Sequence, residues 1–482
     1  MIETAAAQLR LGASLVFGRP FSTRSLDRLV ESIQATIREF GSVGDEAGEL
    51  LGPALDDDAL RLFAGRRFRK LAVRAGRDTR YYRELFAGSG IDPRRLDWDA
   101  IPTVPATTKQ ALRDDPDAFV RAGSRPVLRG LTTGTTGRPT SVFFSREELD
   151  AGAALGAADL LVRGQVSAED VFQICVSSRA FHATIVSAGV CARIGAPAYL
   201  AGLVEPEYAL RLLAERRSLP GKKERASILS TYPSYLGELV ETAHRLGFGP
   251  SDFGLERIFL SGEVVSGGLR ARAAAVFGEA SLVEVYSATE IVPFGGAVCS
   301  QGHLHFPPSS GLLELVSLDG GAPQAGEPAA IVATPFPPFR DTTLVLRYAT
   351  EDVVRVLDRR PDCELRALPA TSRIVGKLRL AVRHDGGWTF PRDVVDALEE
   401  VEDVPLPARY GFARHEDGVR VEVVARTTAP VTRAAIAASL ECRGIPLREL
   451  RVVTELSELR APLPLRCDLR EHTFALRDEV SA

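Results

Sequence analysis

Between residues 145 and 290, short apolar runs alternate with helical stretches, and this alternation restricts the fold more than any other feature of the chain. Ser145 is suited to cap a helix. The runs Val171-Phe-Gln-Ile-Cys-Val, Ala226-Ser-Ile-Leu-Ser-Thr, Arg257-Ile-Phe-Leu-Ser and Leu282-Val-Glu-Val-Tyr follow, with helical segments such as Tyr235 to Leu246 and Gly268 to Phe277 between them. Short strands separated by helices of about 10 to 15 residues predict a largely parallel α/β sheet, because a parallel crossover needs a helix to return the chain. Ligands of such sheets bind at the carboxyl ends of the strands.

Directly ahead of this region, residues 131 to 144 read Leu-Thr-Thr-Gly-Thr-Thr-Gly-Arg-Pro-Thr-Ser-Val-Phe-Phe. Glycine permits close backbone approach, and exposed N–H groups and threonine hydroxyls donate to an anion, so the loop has the composition of a phosphate cradle. No Gly-Lys-Ser/Thr closes it, so it is not a Walker loop. A Thr/Gly-rich turn read alone is more often a surface loop.

The first hundred residues read as helices, with Ser25 capping one and a strongly basic stretch from Arg66 to Phe86. Residues 311 to 358 turn to Gly/Pro turns and β-rich runs. After Gly376 a small α+β unit follows: helix 392 to 401, strand 419 to 425, helix 432 to 442 and strand 450 to 454. The expected division is a large unit of residues 1 to 376 and a small mobile one of 377 to 482, hinged near 376 to 380. A net charge of −4 favours neither nucleic acid nor an anionic membrane. The amino terminus lacks an export signal and no window is apolar enough to span a bilayer, so a cytoplasmic protein is expected. Six cysteines lie far apart with no C-x-x-C pair, a spacing that suits reduced thiols and offers no zinc knuckle. Lysine occurs only at Lys70, Lys109, Lys222, Lys223 and Lys377.

Further segments follow the loop in order: Ser230-Thr-Tyr-Pro-Ser-Tyr-Leu, Leu260-Ser-Gly-Glu, Tyr286-Ser-Ala-Thr-Glu290, Arg347-Tyr-Ala-Thr-Glu-Asp352, Arg373-Ile-Val-Gly-Lys and Thr389-Phe-Pro391. Pro105-Ala-Thr-Thr-Lys-Gln-Ala-Leu-Arg precedes it. This ordered set resembles the adenylate-forming superfamily of acyl-CoA ligases, adenylation domains and luciferases, and within it the phenylacetate-CoA ligase family. The resemblance implies ATP and Mg²⁺ as cofactors and a carboxylic acid as substrate. It places Thr132, Thr133, Gly134, Thr135, Thr136 and Gly137 on the β- and γ-phosphates, Thr289 on the α-phosphate and Glu290 on magnesium. Asp352 falls on the ribose, Gly262, Glu263, Tyr286 and Ser287 at the adenine slot, and Arg373, near the hinge, among the nucleotide-binding residues. His182, Tyr232 and Tyr235 would wall the acyl pocket.

The chain also departs from the family's pattern. The lysine that usually lies near the end of the small domain is missing. Its region reads Ala461-Pro-Leu-Pro-Leu-Arg-Cys-Asp-Leu-Arg470, where Arg466 is the candidate replacement. A guanidinium is not equivalent to a mobile ammonium. Tyr-Ser replaces Tyr-Gly before Glu290, Gly-Lys377 stands where Gly-Arg is typical, and the C-x-C-Gly element of some relatives is reduced to Cys363 alone. The expectation is an AMP-producing ligase that activates a small, aromatic acid and transfers it to an amine, with CoA as the alternative acceptor. Activation of nitrite for N–N bond formation and a non-catalytic nucleotide-binding role are the other readings. A homodimer is among the expected partnerships.

Overall fold

A computed structural model of the chain describes residues 2–17, 23–41, 56–132 and 139–470. Helices α1 (Ile2–Phe17), α2 (Thr23–Phe40), α3 (Asp57–Asp78), α4 (Arg80–Ser89) and the short α5 (Lys109–Asp114) lead in. Helix α2 begins two residues before Ser25, which lies buried inside it and is not its cap. The antiparallel hairpin of β1 (Pro126–Leu131) and β2 (Ser141–Ser145) then carries the Thr/Gly-rich loop at its tip.

Helix α6 (Arg146–Val162) starts with a capping box in which Ser145 and Glu148 satisfy each other's backbone N–H groups. The parallel region is built from β3 (Phe172–Cys175), α7 (Phe181–Ile194), β4 (Ala198–Leu200), α8 (Pro206–Ala214), β5 (Ile228–Thr231), α9 (Pro233–Leu246), β6 (Arg257–Ser261), α10 (Gly267–Phe277) and β7 (Ser281–Ser287). Strands β8 (Gly295–Val298), β9 (His303–His305), β10 (Gly311–Ser317), β11 (Pro328–Pro335), β12 (Tyr348–Arg355), β13 (Ala370–Ser372) and β14 (Gly376–Lys377) follow. The central sheet has the order β13-β9-β8-β7-β6-β5-β3-β4; β7 to β4 run parallel, and β8, β9 and β13 add an antiparallel edge. A second, antiparallel sheet has the order β10-β11-β12-β14.

Beyond it lie the hairpin β15 (Val382–His384) and β16 (Gly387–Thr389), α11 (Pro391–Leu398), β17 (Tyr410–His415), β18 (Gly418–Val424), α12 (Pro430–Cys442) and β19 (Leu447–Val453). Strand β18 pairs antiparallel with β17 and parallel with β19, and α11 and α12 cover a core that includes Val394, Leu398, Val421 and Ile436. This small α+β unit docks on α9 and α10. Leu406 N donates to Glu241 Oε1 at 2.9 Å, Arg272 Nη1 to Val404 O at 2.8 Å, and Ser266 to buried Glu399. Two glycines allow the close approach. A Cβ on Gly268 would lie 2.1 Å from Glu399 O and one on Gly237 2.8 Å from Pro407 N. On the opposite face, α2 is tied to α7 by Gln34, which donates to Ile194 O at 2.8 Å, and by the Arg193–Asp27 ion pair at 2.9 Å. No helix of the described residues is long and apolar enough to cross a membrane.

Candidate active site

Two tyrosines latch the ends of the two sheets together. Tyr348, at the start of β12, donates to Glu290 Oε1 at 2.8 Å; Tyr286, on β7, donates to Asp352 Oδ2 at 3.0 Å. Each carboxylate also meets a lysine. Lys109 Nζ lies 3.3 Å from Glu290 Oε1, and Lys377 Nζ lies 2.8 Å from Asp352 Oδ1. Register explains both pairings. Thr107 bridges to Tyr348 and brings α5 beside β12, while Asp352 stands opposite Lys377 in the β12–β14 pair. Burial opposes ionisation of Glu290, but the Lys109 ammonium and the Tyr348 hydroxyl outweigh it and hold the carboxyl below its usual range. Burial, reinforced by Asp352, pushes the Tyr286 phenol far up, so it serves as a donor.

Thr133, Gly134, Thr135, Thr136 and Gly137, expected on the phosphates, lie outside the described residues. The base of their loop is clipped shut. Thr132 N donates to Thr140 O at 3.0 Å, Thr140 N donates to Thr132 Oγ1 at 2.9 Å, and Arg113 Nε reaches Thr140 Oγ1 at 3.2 Å. Gly130 lets Thr289 approach this hairpin, since a Cβ there would meet Phe144 Cε2 at 2.7 Å and Thr289 Cγ2 at 3.3 Å. The hairpin and the Thr289-Glu290 turn are therefore neighbours.

Gly262, Glu263 and Arg466 come together elsewhere. Glu263 accepts from Ser234 N at 2.9 Å, at the head of α9, and from Arg466 N at 2.6 Å. The Arg466 Nε donates to Gly262 O at 2.9 Å, and its guanidinium lies 5.1 Å from the Tyr232 ring centroid. Cys467 N donates to Ser234 Oγ at 3.0 Å, so the segment that departs from the family's pattern is seated on β5–α9 and the turn after β6. Ser287 closes β7 opposite Gly295, and Arg373 pairs with Glu284 of β7 at 3.1 Å.

The three expected pocket residues separate. His182 stacks on Phe144 with ring centroids 4.1 Å apart and lines a cleft of ≈ 370 Å³, open space included, with Glu148, Val186, Val292 and Phe339. Tyr232 is buried beneath Arg466. Tyr235 is fully buried in the core of the parallel sheet and its hydroxyl donates to Val204 O at 2.6 Å, because it sits on the inward face of α9. Burial, helped by the charge of Arg340, pushes His182 down to about 3. An unfolded histidine titrates near 6.5, so between about pH 6.5 and pH 3 the unfolded chain binds a proton that the folded chain refuses. Stability is present above the unfolded value and is lost as pH falls toward the folded one. His182→Phe is expected to flatten this loss by at most about 1.4 kcal/mol per pH unit, read from urea unfolding at pH 7 and pH 5.

Lys109, Tyr348 and Lys377 had no assigned role in the sequence, and neither did Arg340. Arg340 is fully buried, with its guanidinium 4.2 Å from the Phe144 ring centroid; its Nε donates to Thr343 O, while Nη1 and Nη2 have no hydrogen-bond partner. The odd arginine beside Phe339 was the only signal available.

Comparisons with known proteins agree with this α/β architecture. The chain is 25% identical over 306 residues to the phenylacetate-coenzyme A ligase of Thermus thermophilus, a match covering 62% of this chain and 66%, just under two thirds, of that protein. It is 24% identical over 388 residues to the phenylacetate-coenzyme A ligase of Escherichia coli, covering 76% and 82%. It superposes on the crystal structure of 2-hydroxyisobutyryl-CoA ligase in complex with 2-HIB-AMP with a TM-score of 0.69, at 18% identity, covering 83% of this chain and 87% of that one. No protein-family model matches the chain. The chain is thus similar to phenylacetate-coenzyme A ligases over most of its length and shares its fold with 2-hydroxyisobutyryl-CoA ligase.

Proposed function

We propose that this chain is an ATP-dependent ligase that converts a small carboxylic acid into an acyl-adenylate and passes the acyl group to an acceptor. The observation that carries this reading is the paired carboxylates Glu290 and Asp352, each held by one tyrosine and one lysine, beside a clipped phosphate-loop hairpin. An oxygen of the acid attacks the α-phosphorus of ATP, the bond to the bridging oxygen breaks, and pyrophosphate leaves. The acyl carbon is then attacked by the acceptor, AMP departs, and the acceptor's proton is released.

The residues present fit a magnesium ion, because Glu290 is a buried, ionised carboxylate whose described contacts converge on Oε1. Glu290 would be its protein ligand, and a bound Mg²⁺ would neutralise phosphate charge. Asp352 would accept from the ribose hydroxyls in place of Lys377 and Tyr286. Thr289 and the loop from Thr132 to Gly137 would donate to phosphate oxygens. Gly262, Glu263, Tyr286 and Ser287 would border the base, with Arg373 steadying the strand behind them through Glu284. Arg466 would bring its charge to the nucleotide only after leaving Gly262. The small unit would swing about residues 376 to 380 between the two half-reactions.

The His182 cleft suits a small acyl group, and Arg340 would supply the field that draws a carboxylate to it. A buried guanidinium with two unpartnered nitrogens is costly unless an anion completes it. Arg340→Met is expected to raise the KM for the acid at least tenfold with the KM for ATP unchanged, measured in steady-state kinetics.

An amine is the proposed acceptor, because residues 461 to 470 carry no lysine and are seated on the large unit through Arg466 and Cys467. CoA is the second reading, favoured by the likeness to phenylacetate-coenzyme A ligases. Mass spectrometry of reactions containing ATP, aromatic or short aliphatic acids, and either CoA or a panel of amines separates the two. Amide with little thioester is the expected product; ready thioester formation with no amide from any amine would overturn the acceptor.

A further inference from the structure

Three metal-ligating residues far apart in the sequence converge at the antiparallel edge of the central sheet. Cys299 follows β8, His305 ends β9, and Cys363 lies in the connection from β12 to β13, the strand that pairs with β9. All three are buried, and one ligand atom from each lies within 4.8 Å of the others. We propose that Cys299, His305 and Cys363 form a structural zinc site that staples this edge of the sheet, with the fourth position taken by water or by neighbouring His303.

Three features of the geometry point to a metal and away from ordinary packing. Zinc bonds of about 2.3 Å to sulfur and about 2.0 Å to nitrogen, at tetrahedral angles, place a sulfur and a nitrogen roughly 3.5 Å apart; Cys363 Sγ lies 3.3 Å from His305 Nε2. The other ring nitrogen, Nδ1, faces Leu368 O at 3.3 Å. A carbonyl accepts only, so Nδ1 carries the proton and Nε2 turns a lone pair toward the sulfurs, as the outer partner of a zinc-bound imidazole does. Both sulfurs also receive backbone donors: His303 N reaches Cys299 Sγ at 3.3 Å and Leu365 N reaches Cys363 Sγ at 3.4 Å. A zinc-bound thiolate would accept these donors, whereas burial holds the metal-free Cys363 thiol up at about 12. A thiol of Cys363 hydrogen-bonded to Nε2 would account for one contact but not for donors on both sulfurs.

Two thiolates and an imidazole suit zinc better than magnesium or calcium, which prefer oxygen. Binding would replace the two S–H protons, which pass to solvent, with no change of oxidation state. The site lies apart from the Glu290–Asp352 pair and tethers the 299–303 turn to residues 363–368, just ahead of Arg373. Its role is stability and does not depend on the proposed ligase chemistry.

Zinc content of the full chain, purified from zinc-supplemented medium, tests this by elemental mass spectrometry. About one zinc per chain is expected, falling to background in the Cys299→Ser/Cys363→Ser double variant and unchanged in Cys442→Ser, whose cysteine is exposed. Because the double variant could misfold, the metal-stripped wild-type chain is also refilled with cobalt, where a sulfur-to-cobalt charge-transfer band and tetrahedral visible bands are expected. A wild-type chain with neither zinc nor the cobalt band, a Cys299–Cys363 disulfide in its place, or zinc retained by the double variant would overturn the site.

Discussion

Lys109→Met is expected to slow acid-dependent pyrophosphate exchange by roughly 100- to 1000-fold, the size of effect seen when one preorganised donor to developing charge is removed. Lys109 Nζ stands 3.3 Å from Glu290 Oε1 and is largely shielded from water, so its charge acts through a poorly screened path. It is also the lysine placed beside the carboxylate proposed for magnesium, in a chain whose small unit has none after Lys377. The variant should leave a second mark. Glu290 is held ionised against its burial chiefly by Lys109, with Tyr348 assisting. Without that ammonium, burial dominates and the carboxyl titrates higher. In the wild-type chain the contribution of Glu290 is present above the ordinary carboxylate value and disappears only as pH falls through its lowered value. In Lys109→Met the acid limb of the kcat profile should move to higher pH, with Lys109→Arg restoring part of the shift. Exchange within threefold of wild type and an unmoved acid limb would remove Lys109 from the site.

Asp352→Ala is expected to raise the KM for ATP by roughly 100-fold, because two charge-assisted hydrogen bonds to the ribose, each contributing about 1.5 kcal/mol, would be lost. At saturating ATP, kcat should fall less than tenfold, since the contact proposed for the carboxylate is to the nucleoside and not to the reacting phosphorus. The split between KM and kcat matters here. Asp352 also anchors Tyr286 and Lys377, so a purely structural role would lower thermal stability without a selective change in ATP affinity. Steady-state kinetics over a wide ATP range, alongside a melting curve, separate the two. An unchanged KM for ATP would place the ribose elsewhere.

The parallel half of the central sheet was legible because its signals were local: apolar runs, the Ser145 capping box and glycine ends such as Gly247 on α9. The antiparallel edge was not. Strands β8 and β9 are short, and Gly295, Gly296, His303 and His305 give no β-rich pattern; β8 forms by pairing with β7, and β9 by pairing with β8 and β13. Strand β17 was missed for a similar reason, its glycine, arginine and histidine masking a strand that β18 recruits.

In the site, Glu290 and Asp352 stood out in ordered segments. Their partners Lys109, Tyr348 and Lys377 are fixed by strand register, which no linear spacing reveals. Tyr235 looked like a pocket residue from its motif, but the helical face on which it falls turns it into the core. The cysteine spacing offered no zinc knuckle, and the approach of Cys299 to Cys363 depends on the pairing of β9 with β13.

Acid-dependent exchange of labelled pyrophosphate into ATP, measured for the wild-type chain and Glu290→Gln across aromatic acids, short aliphatic acids and nitrite, tests adenylate formation most directly. Exchange stimulated by a carboxylic acid and lost in Glu290→Gln is the predicted result. Exchange with nitrite alone would replace the carboxylic acid with another oxyanion. No exchange with any acid, from a chain that still binds ATP, would contradict an adenylate-forming enzyme.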